Sequence, residues 1–317
     1  MRSARIICLS SIVRSRSLDL SVSSVPYVAT LVAGPQKAAL SDGVIARAAQ
    51  ALPGFTRSRW LQRGVAADLF FSGENGRAAL QPLADEARID AIVQPVATRA
   101  KRLLVADMDS TLIGQECLDE LANFAGVGAY VAAVTERAMR GEIAFEPALR
   151  ERVALLAGLP ESVIDEVLAT RIVLTPGARI LVRTMRARGG YVAIVSGGFQ
   201  QFTGAIAQRL DANEHRANRL IIAGGKITGK VADPILGADA KLQALREISA
   251  RLGLQPAETM AVGDGANDLA MLGAAGLGVA YRAKPAVAAK ADARIEHSDL
   301  TALLFAQGVS GEDFVRD

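Results

Sequence analysis

Leu103-Leu104-Val105-Ala106-Asp107-Met108-Asp109-Ser110-Thr111 is the stretch that decides the fold. Four apolar residues in a row leave no polar face, as expected of a strand buried on both sides. The run then ends in two carboxylates one residue apart. Two later segments repeat the plan. Residues 191–195 run into Ser196-Gly197-Gly198, and residues 260–262 run into Gly263-Asp264-Gly265-Ala266-Asn267-Asp268. Helical patterns alternate with these apolar runs, which predicts an α/β fold with a Rossmann-like parallel sheet covered on both faces. Ligands bind beyond the carboxyl ends of strands in such sheets, so three polar clusters at three strand ends predict one site.

Working outward, about eighty residues separate the first two clusters, too many for one crossover. Residues 118–125, 130–140, 145–157 and 162–169 have helical composition, which predicts a helical cap inserted at about 113–175. Residues 220–231 alternate apolar positions around Gly224-Gly225 and read as a small β-hairpin insertion. Upstream, residues 27–96 read as a small α/β module, ACT-like or ferredoxin-like. Its strands are placed at 27–33, 66–71 and 89–94 and its helices at 40–51 and 77–86. A basic linker, 97–102, joins it to a second domain spanning 101–317. Residues 1–26, serine-rich with four arginines against one aspartate, read as a disordered extension, although their composition also resembles a transit peptide.

Composition removes several function classes. The 36 basic and 33 acidic residues leave +3, all of it carried by residues 1–26, so no broad basic surface for nucleic acid is expected. Two cysteines, Cys8 and Cys117, make neither a disulfide framework nor a four-thiolate zinc site, and a reducing, cytoplasmic location is expected. No apolar run reaches the ~18 residues of a membrane span. The expected partner is a small-molecule substrate, with no nucleic acid and no membrane; a homodimer is an admissible assembly.

Asp107 and Asp109 would point the same way from an extended segment, crowding two like charges. Crowding raises one carboxyl pKa unless a cation compensates, so the pair suits a metal site or an acid and a base. Asp-Ser-Thr is also ordinary helix-capping chemistry. Asp264 and Asp268 add carboxylates beside glycines that permit close backbone approach. Hard oxygen donors without histidine or cysteine favour Mg²⁺. Ser196-Gly197-Gly198 reads as the opening of a helix, so the Ser196 hydroxyl and the Gly197 amide suit a phosphate, though the same triplet makes a plain tight turn. Lys241, in Ala238-Asp239-Ala240-Lys241, has the composition of a solvated surface lysine when taken alone.

Taken together, these motifs resemble the haloacid dehalogenase superfamily. With Glu116, Leu149-Arg150-Glu151-Arg152-Val153, Val195-Ser196-Gly197-Gly198-Phe199 and Ala217-Asn218-Arg219-Leu220, the resemblance over about residues 101–305 narrows to the phosphoserine phosphatase family within it. It implies Mg²⁺-dependent hydrolysis of O-phospho-L-serine through an aspartyl-phosphate, the last step of serine biosynthesis. Asp107 would be the nucleophile and Asp109 the general acid and base. Asp107, Asp264 and the backbone carbonyl of Asp109 would hold the metal. Ser196, Gly197 and Lys241 would grip the phosphoryl oxygens, Asn267 would position substrate, and Asp268 would support the metal's water or Lys241. From the cap, Arg152 would bind the substrate carboxylate, Glu116 its ammonium, and Phe145 would close the pocket. Without the resemblance, Arg152 reads equally as an arginine snorkelling from an apolar helix face, and Glu116 as a charge at a helix start. Two other functions share the motifs: phosphate transfer from phosphoserine to an alcohol such as homoserine, and a non-enzymatic amino-acid sensor.

Overall fold

The computed structural model describes residues 26–34, 40–139 and 142–316. The expected N-terminal extension therefore lies, apart from Pro26, outside the described residues. Twelve strands are described: β1 Tyr27–Ala33, β2 Phe55–Gln62, β3 Ala66–Phe71, β4 Ile89–Pro95, β5 Leu103–Ala106, β6 Tyr191–Phe199, β7 Glu214–Asn218, β8 Leu220–Ala223, β9 Lys226–Val231, β10 Thr259–Gly263, β11 Gly278–Tyr281 and β12 Ala293–Ile295.

The main sheet is parallel, in the order β12-β11-β10-β5-β6-β7. Strand β5 lies at its centre, and its side chains divide cleanly between the faces. Leu104 and Ala106 join the apolar cluster that holds the helices Ala178–Ala187, Gln200–Leu210 and Ala302–Ala306. Leu103 and Val105 join the cluster under the helices Ala238–Leu252 and Leu269–Ala274. The unbroken apolar run is explained: both faces of β5 are core.

The cap insertion begins and ends on a two-stranded tie. Ile113 pairs with Leu174, the Gly114 N–H donates to the Val173 carbonyl, and the Thr175 N–H donates to the Leu112 carbonyl. Between them lie four helices, Cys117–Phe124, Gly128–Met139, Phe145–Ala154 and Ser162–Thr170. Strands β8 and β9 form the expected hairpin. Its turn residues Gly224 and Gly225 both have positive φ, 57° and 70°, a backbone that only glycine adopts without strain. The hairpin does not stand free: Gly158 and Glu161 of the cap donate to the Ile227 and Gly225 carbonyls, and Ile227 donates back to Leu159.

The N-terminal module is a four-stranded antiparallel sheet, order β2-β3-β1-β4, with helices Asp42–Ala51 and Gly76–Ala87 on one face. The βαββαβ order is that of a ferredoxin-like sheet. Its strand β2 was not expected from the sequence. Read as Phe-Thr-Arg-Ser-Arg-Trp-Leu-Gln, it is an edge strand with only Leu61 buried and Thr56 to Arg59 exposed, so no apolar alternation marks it. The other face of this sheet is buried too, because Val32, Ala66 and Ile92 belong to the same apolar cluster as Leu303 and Phe305 near the C-terminus. Among the described residues no helix is long and apolar enough to cross a membrane.

Candidate active site

Three strand ends meet as the polar clusters suggested. Strand β5 stops at Ala106, and Asp107 and Asp109 both keep extended backbone, with ψ of 159° and 137°. Ser110 between them and the cap has φ of +54°, a left-handed conformation that a serine enters only at some cost and that turns the chain toward the cap. Asp107 is buried. Its Oδ1 accepts from the Met108 N–H at 2.7 Å, and its Oδ2 lies 2.5 Å from Lys241 Nζ. The same ammonium lies 2.6 Å from Asp268 Oδ1, while Asp268 Oδ2 accepts from the Gly265 N–H.

Lys241 is among the largest fully buried side chains of the described residues, at 2% exposure. The reason is its place on the helix Ala238–Leu252, where it shares a stripe with Ala244, Leu245 and Ile248. That spacing of three, four and seven is the signal, missed in the sequence, that distinguishes it from a surface lysine. Burial lowers the affinity of Lys241 for its proton, but the charges of Asp107 and Asp268 outweigh burial and hold its pKa above the ordinary lysine value. Burial pushes Asp107 well above the usual carboxylate range against the pull of Lys241. The arrangement that satisfies both is an ammonium shared between two carboxylates.

Asp109 faces elsewhere. Its Oδ1 accepts from the Cys117 N–H at 2.9 Å and its Oδ2 from the Ser196 hydroxyl at 3.1 Å. Burial raises its pKa, and these donors oppose the rise. Ser196 accepts in turn from the Gly198 N–H. A Cβ at residue 198 would stand 2.8 Å from Asp109 Oδ2 and 3.1 Å from Ser196 Oγ, so a side chain there would displace the Asp109 carboxylate. The Ser-Gly-Gly triplet was expected to open a helix. Instead β6 continues extended to Phe199 and the helix Gln200–Leu210 begins after it, because the triplet is spent on contacts with Asp109.

Carboxylate oxygens of Asp107, Asp264 and Asp268 lie within 4.8 Å of one another. Asp264 accepts from the Thr111 hydroxyl, and burial raises its pKa. With all three carboxylates ionised, as a bound cation would hold them, one ammonium leaves two negative charges in a largely buried space, and the donors are all oxygen. This is the environment a hard divalent cation fits. The Asp109 carboxylate is turned away from this group, which leaves only its backbone carbonyl for such a role. Asn267 is exposed at the rim.

The cap residues reach the same place. The Glu116 carboxylate accepts from the Ser110 hydroxyl at 2.7 Å. Glu116 as a residue is exposed, yet its carboxylate is crowded: burial, then the charge of Asp109, pushes its pKa up to about 7. Arg152, on the helix Phe145–Ala154, donates to the Ala148 carbonyl and the Thr135 hydroxyl. Burial lowers its pKa, against the pull of Asp119 and Glu116. Phe145 is 41% exposed, and its ring stands over the glycines of the core: a Cβ at Gly197 would lie 3.3 Å from it and one at Gly237 3.7 Å. The cap thus closes over the Ser196 loop through an aromatic ring.

Residues 104–273 match the family model of haloacid dehalogenase-like hydrolases. A phosphoserine phosphatase of Mycobacterium tuberculosis is 46% identical over 234 residues, covering 73% of this chain and 57% of the relative, so this chain spans little more than half of that protein's length. A phosphoserine phosphatase of Streptococcus thermophilus is 45% identical over 64% of this chain and 94% of its own. Among solved structures, a probable phosphoserine phosphatase from Vibrio cholerae superposes with a TM-score of 0.75 at 33% identity, covering 93% of this chain and 90% of that one. With its carboxylate-bearing strand end, its lysine on the inner face of a helix and its inserted helical cap, the chain belongs to the haloacid dehalogenase-like hydrolases, among relatives that are phosphoserine phosphatases.

Proposed function

We propose that the protein hydrolyses O-phospho-L-serine to L-serine and phosphate in the cytoplasm, with Mg²⁺ held by Asp107, Asp264 and the Asp109 carbonyl. The observation that carries this reading is the buried Asp107–Lys241–Asp268 chain at the end of β5, roofed by a cap that presents Arg152 and Glu116. In the first half-reaction an Asp107 carboxylate oxygen attacks phosphorus, the bond from phosphorus to the serine oxygen breaks, and protonated Asp109 gives its proton to that oxygen. In the second, water attacks the phosphorus of the aspartyl-phosphate, the bond to Asp107 breaks, and Asp109 takes the water's proton. The raised pKa of Asp109 suits the first role. Bound Mg²⁺ supplies the two positive charges that shield the phosphate dianion from the carboxylates. Lys241, the Ser196 hydroxyl and the Gly197 amide stabilise charge on the phosphoryl oxygens. Arg152 pairs with the serine carboxylate and Glu116 with its ammonium.

Phosphate release measured across a panel of phosphomonoesters, with and without homoserine, tests the reading. Phosphoserine should have the highest kcat/KM, and homoserine should change neither the rate of phosphate release nor the products. A better substrate lacking the amino-acid group, or phosphohomoserine among the products, would remove the proposed activity.

A further inference from the structure

The Ala217-Asn218-Arg219-Leu220 segment has no part in the mechanism above, yet Asn218 is 1% exposed and uses all of its amide. It sits at the end of β7, opposite Phe199 of β6. Its Oδ1 accepts from the Leu236 N–H at 2.7 Å, which fixes which end of the amide is oxygen. Its Nδ2 donates to the Gly197 carbonyl at 2.8 Å and to the Leu236 carbonyl at 3.2 Å.

Both targets matter. The Gly197 carbonyl belongs to the same planar peptide as the Gly198 N–H, and that N–H donates to Ser196 Oγ, which donates to Asp109 Oδ2. Holding the carbonyl therefore sets the peptide plane, the hydroxyl and the carboxylate in sequence. On the other side, Leu236 directly precedes Gly237, the N-cap of the helix whose first turn carries Lys241. One buried amide thus joins the two segments that would grip a phosphoryl group.

We infer that Asn218 is a positioning residue for the phosphate site: it holds the Ser196–Gly197 loop and the start of the Lys241 helix in fixed relation. The inference rests on the proposed phosphatase reading. Asn218 touches no reacting atom, and its effect passes through Ser196, Gly197 and Lys241. It should therefore act on every phosphomonoester alike, unlike a cap residue.

The test uses the full chain with Asn218→Ala, which strips all three hydrogen bonds, and Asn218→Asp, which keeps the acceptor for Leu236 N–H and loses the donors. Four quantities are read: the melting temperature, kcat/KM for phosphoserine, kcat/KM for p-nitrophenyl phosphate, and the Ki of inorganic phosphate. Both kcat/KM values should fall together, by about tenfold to a hundredfold, with their ratio unchanged. The Ki of inorganic phosphate should rise by about tenfold or more in the folded variants. Wild-type turnover and phosphate affinity in either folded variant would overturn the inference. So would a loss confined to phosphoserine, which would assign Asn218 to the cap, or failure of both variants to fold, which would make it structural. A wild-type protein that cleaves p-nitrophenyl phosphate but not phosphoserine would remove the proposed substrate alone, since p-nitrophenyl phosphate and inorganic phosphate still decide the role of Asn218.

Discussion

Replacing Lys241 by methionine keeps the length of the side chain and deletes its charge. The structure sets the expected size of the effect. The ammonium is buried and lies 2.5 Å from one carboxylate and 2.6 Å from another, with side-chain exposures of 8% and 0% for Asp107 and Asp268. Breaking a buried pair by removing one partner costs about 3–5 kcal/mol, because the remaining charges stay desolvated. At roughly 2 °C per kcal/mol for a chain of this size, the melting temperature without metal should drop by roughly 6–10 °C. Loss of one charged donor to the transferring group should lower kcat by about 10²–10³.

The sign of the metal effect is the sharper test. Without the ammonium, Asp107, Asp264 and Asp268 leave three negative charges instead of two, so a divalent cation should bind more tightly, by about tenfold or more. Mg²⁺ should accordingly raise the melting temperature of Lys241→Met more than that of the wild type, while turnover stays low. Adding Asp268→Asn to Lys241→Met removes one orphaned charge and should recover stability without recovering turnover. Thermal melts across a Mg²⁺ titration, together with single-turnover phosphate release, read all of this. A Lys241→Met protein that melts with the wild type, or that gains less from Mg²⁺, would refute the shared-carboxylate arrangement.

Asp107→Asn should abolish any covalent phosphoryl adduct, whereas Asp109→Asn should slow both half-reactions and leave the adduct trappable; mass spectrometry of acid-quenched protein should place it on Asp107, and an adduct on Ser110 or Ser196 would reassign the nucleophile. Arg152→Ala should lower kcat/KM for phosphoserine by about 10²-fold, since stranding a charged group in a closed pocket costs on the order of 2–5 kcal/mol. The same change should leave p-nitrophenyl phosphate turnover nearly intact, and equal losses on both substrates would make Arg152 a structural residue.

The site was legible where burial and polarity change abruptly. A strand that is core on both faces has no reason to end in Asp-Met-Asp unless its tip meets a ligand, so β5, β6 and β10 and their clusters could be read directly. What stayed hidden depends on contacts between distant residues. The burial of Lys241 follows from three apolar neighbours on its own helix, a weak pattern beside its charge. Asn218 gains its place only when β7 pairs with β6 and the loop to Leu236 folds back over it. Strand β2 escaped because an exposed edge strand needs no apolar face. The basic linker was misleading in the other direction: Arg99 and Lys101 lie in a stretch that reads as solvent-loving, yet both are buried and their charges are used up on backbone carbonyls and Asp68.

Arg99 also indicates what the N-terminal module does for the catalytic half. Its guanidinium bonds both oxygens of Asp68 on β3, at 2.8 and 2.9 Å, and the Phe305 and Ala306 carbonyls at the C-terminal helix, so one side chain locks module to core. Asp90 on β4 adds a second lock by accepting from the Glu296, His297 and Ser298 amides. The Asp90 contacts are at the β12 edge of the main sheet, with β11 and β10 between β12 and β5, whereas Arg99 stands four residues before Leu103 of β5. A short chain of contacts also leads to the cap: just before the C-terminal helix, the Leu300 N–H donates to the Pro176 carbonyl, next to Thr175 at the foot of the cap. Contacts alone do not make a coupling, which needs two arrangements that the ends bias differently. Asp68→Ala decides between them. It leaves the Arg99 guanidinium buried without its carboxylate, so stability should fall by about 3–5 kcal/mol. If the module serves only as a buttress, kcat and KM measured well below the melting temperature should match the wild type. A changed KM for phosphoserine under those conditions would show that the docked module acts on the cap, and the buttress reading would fall.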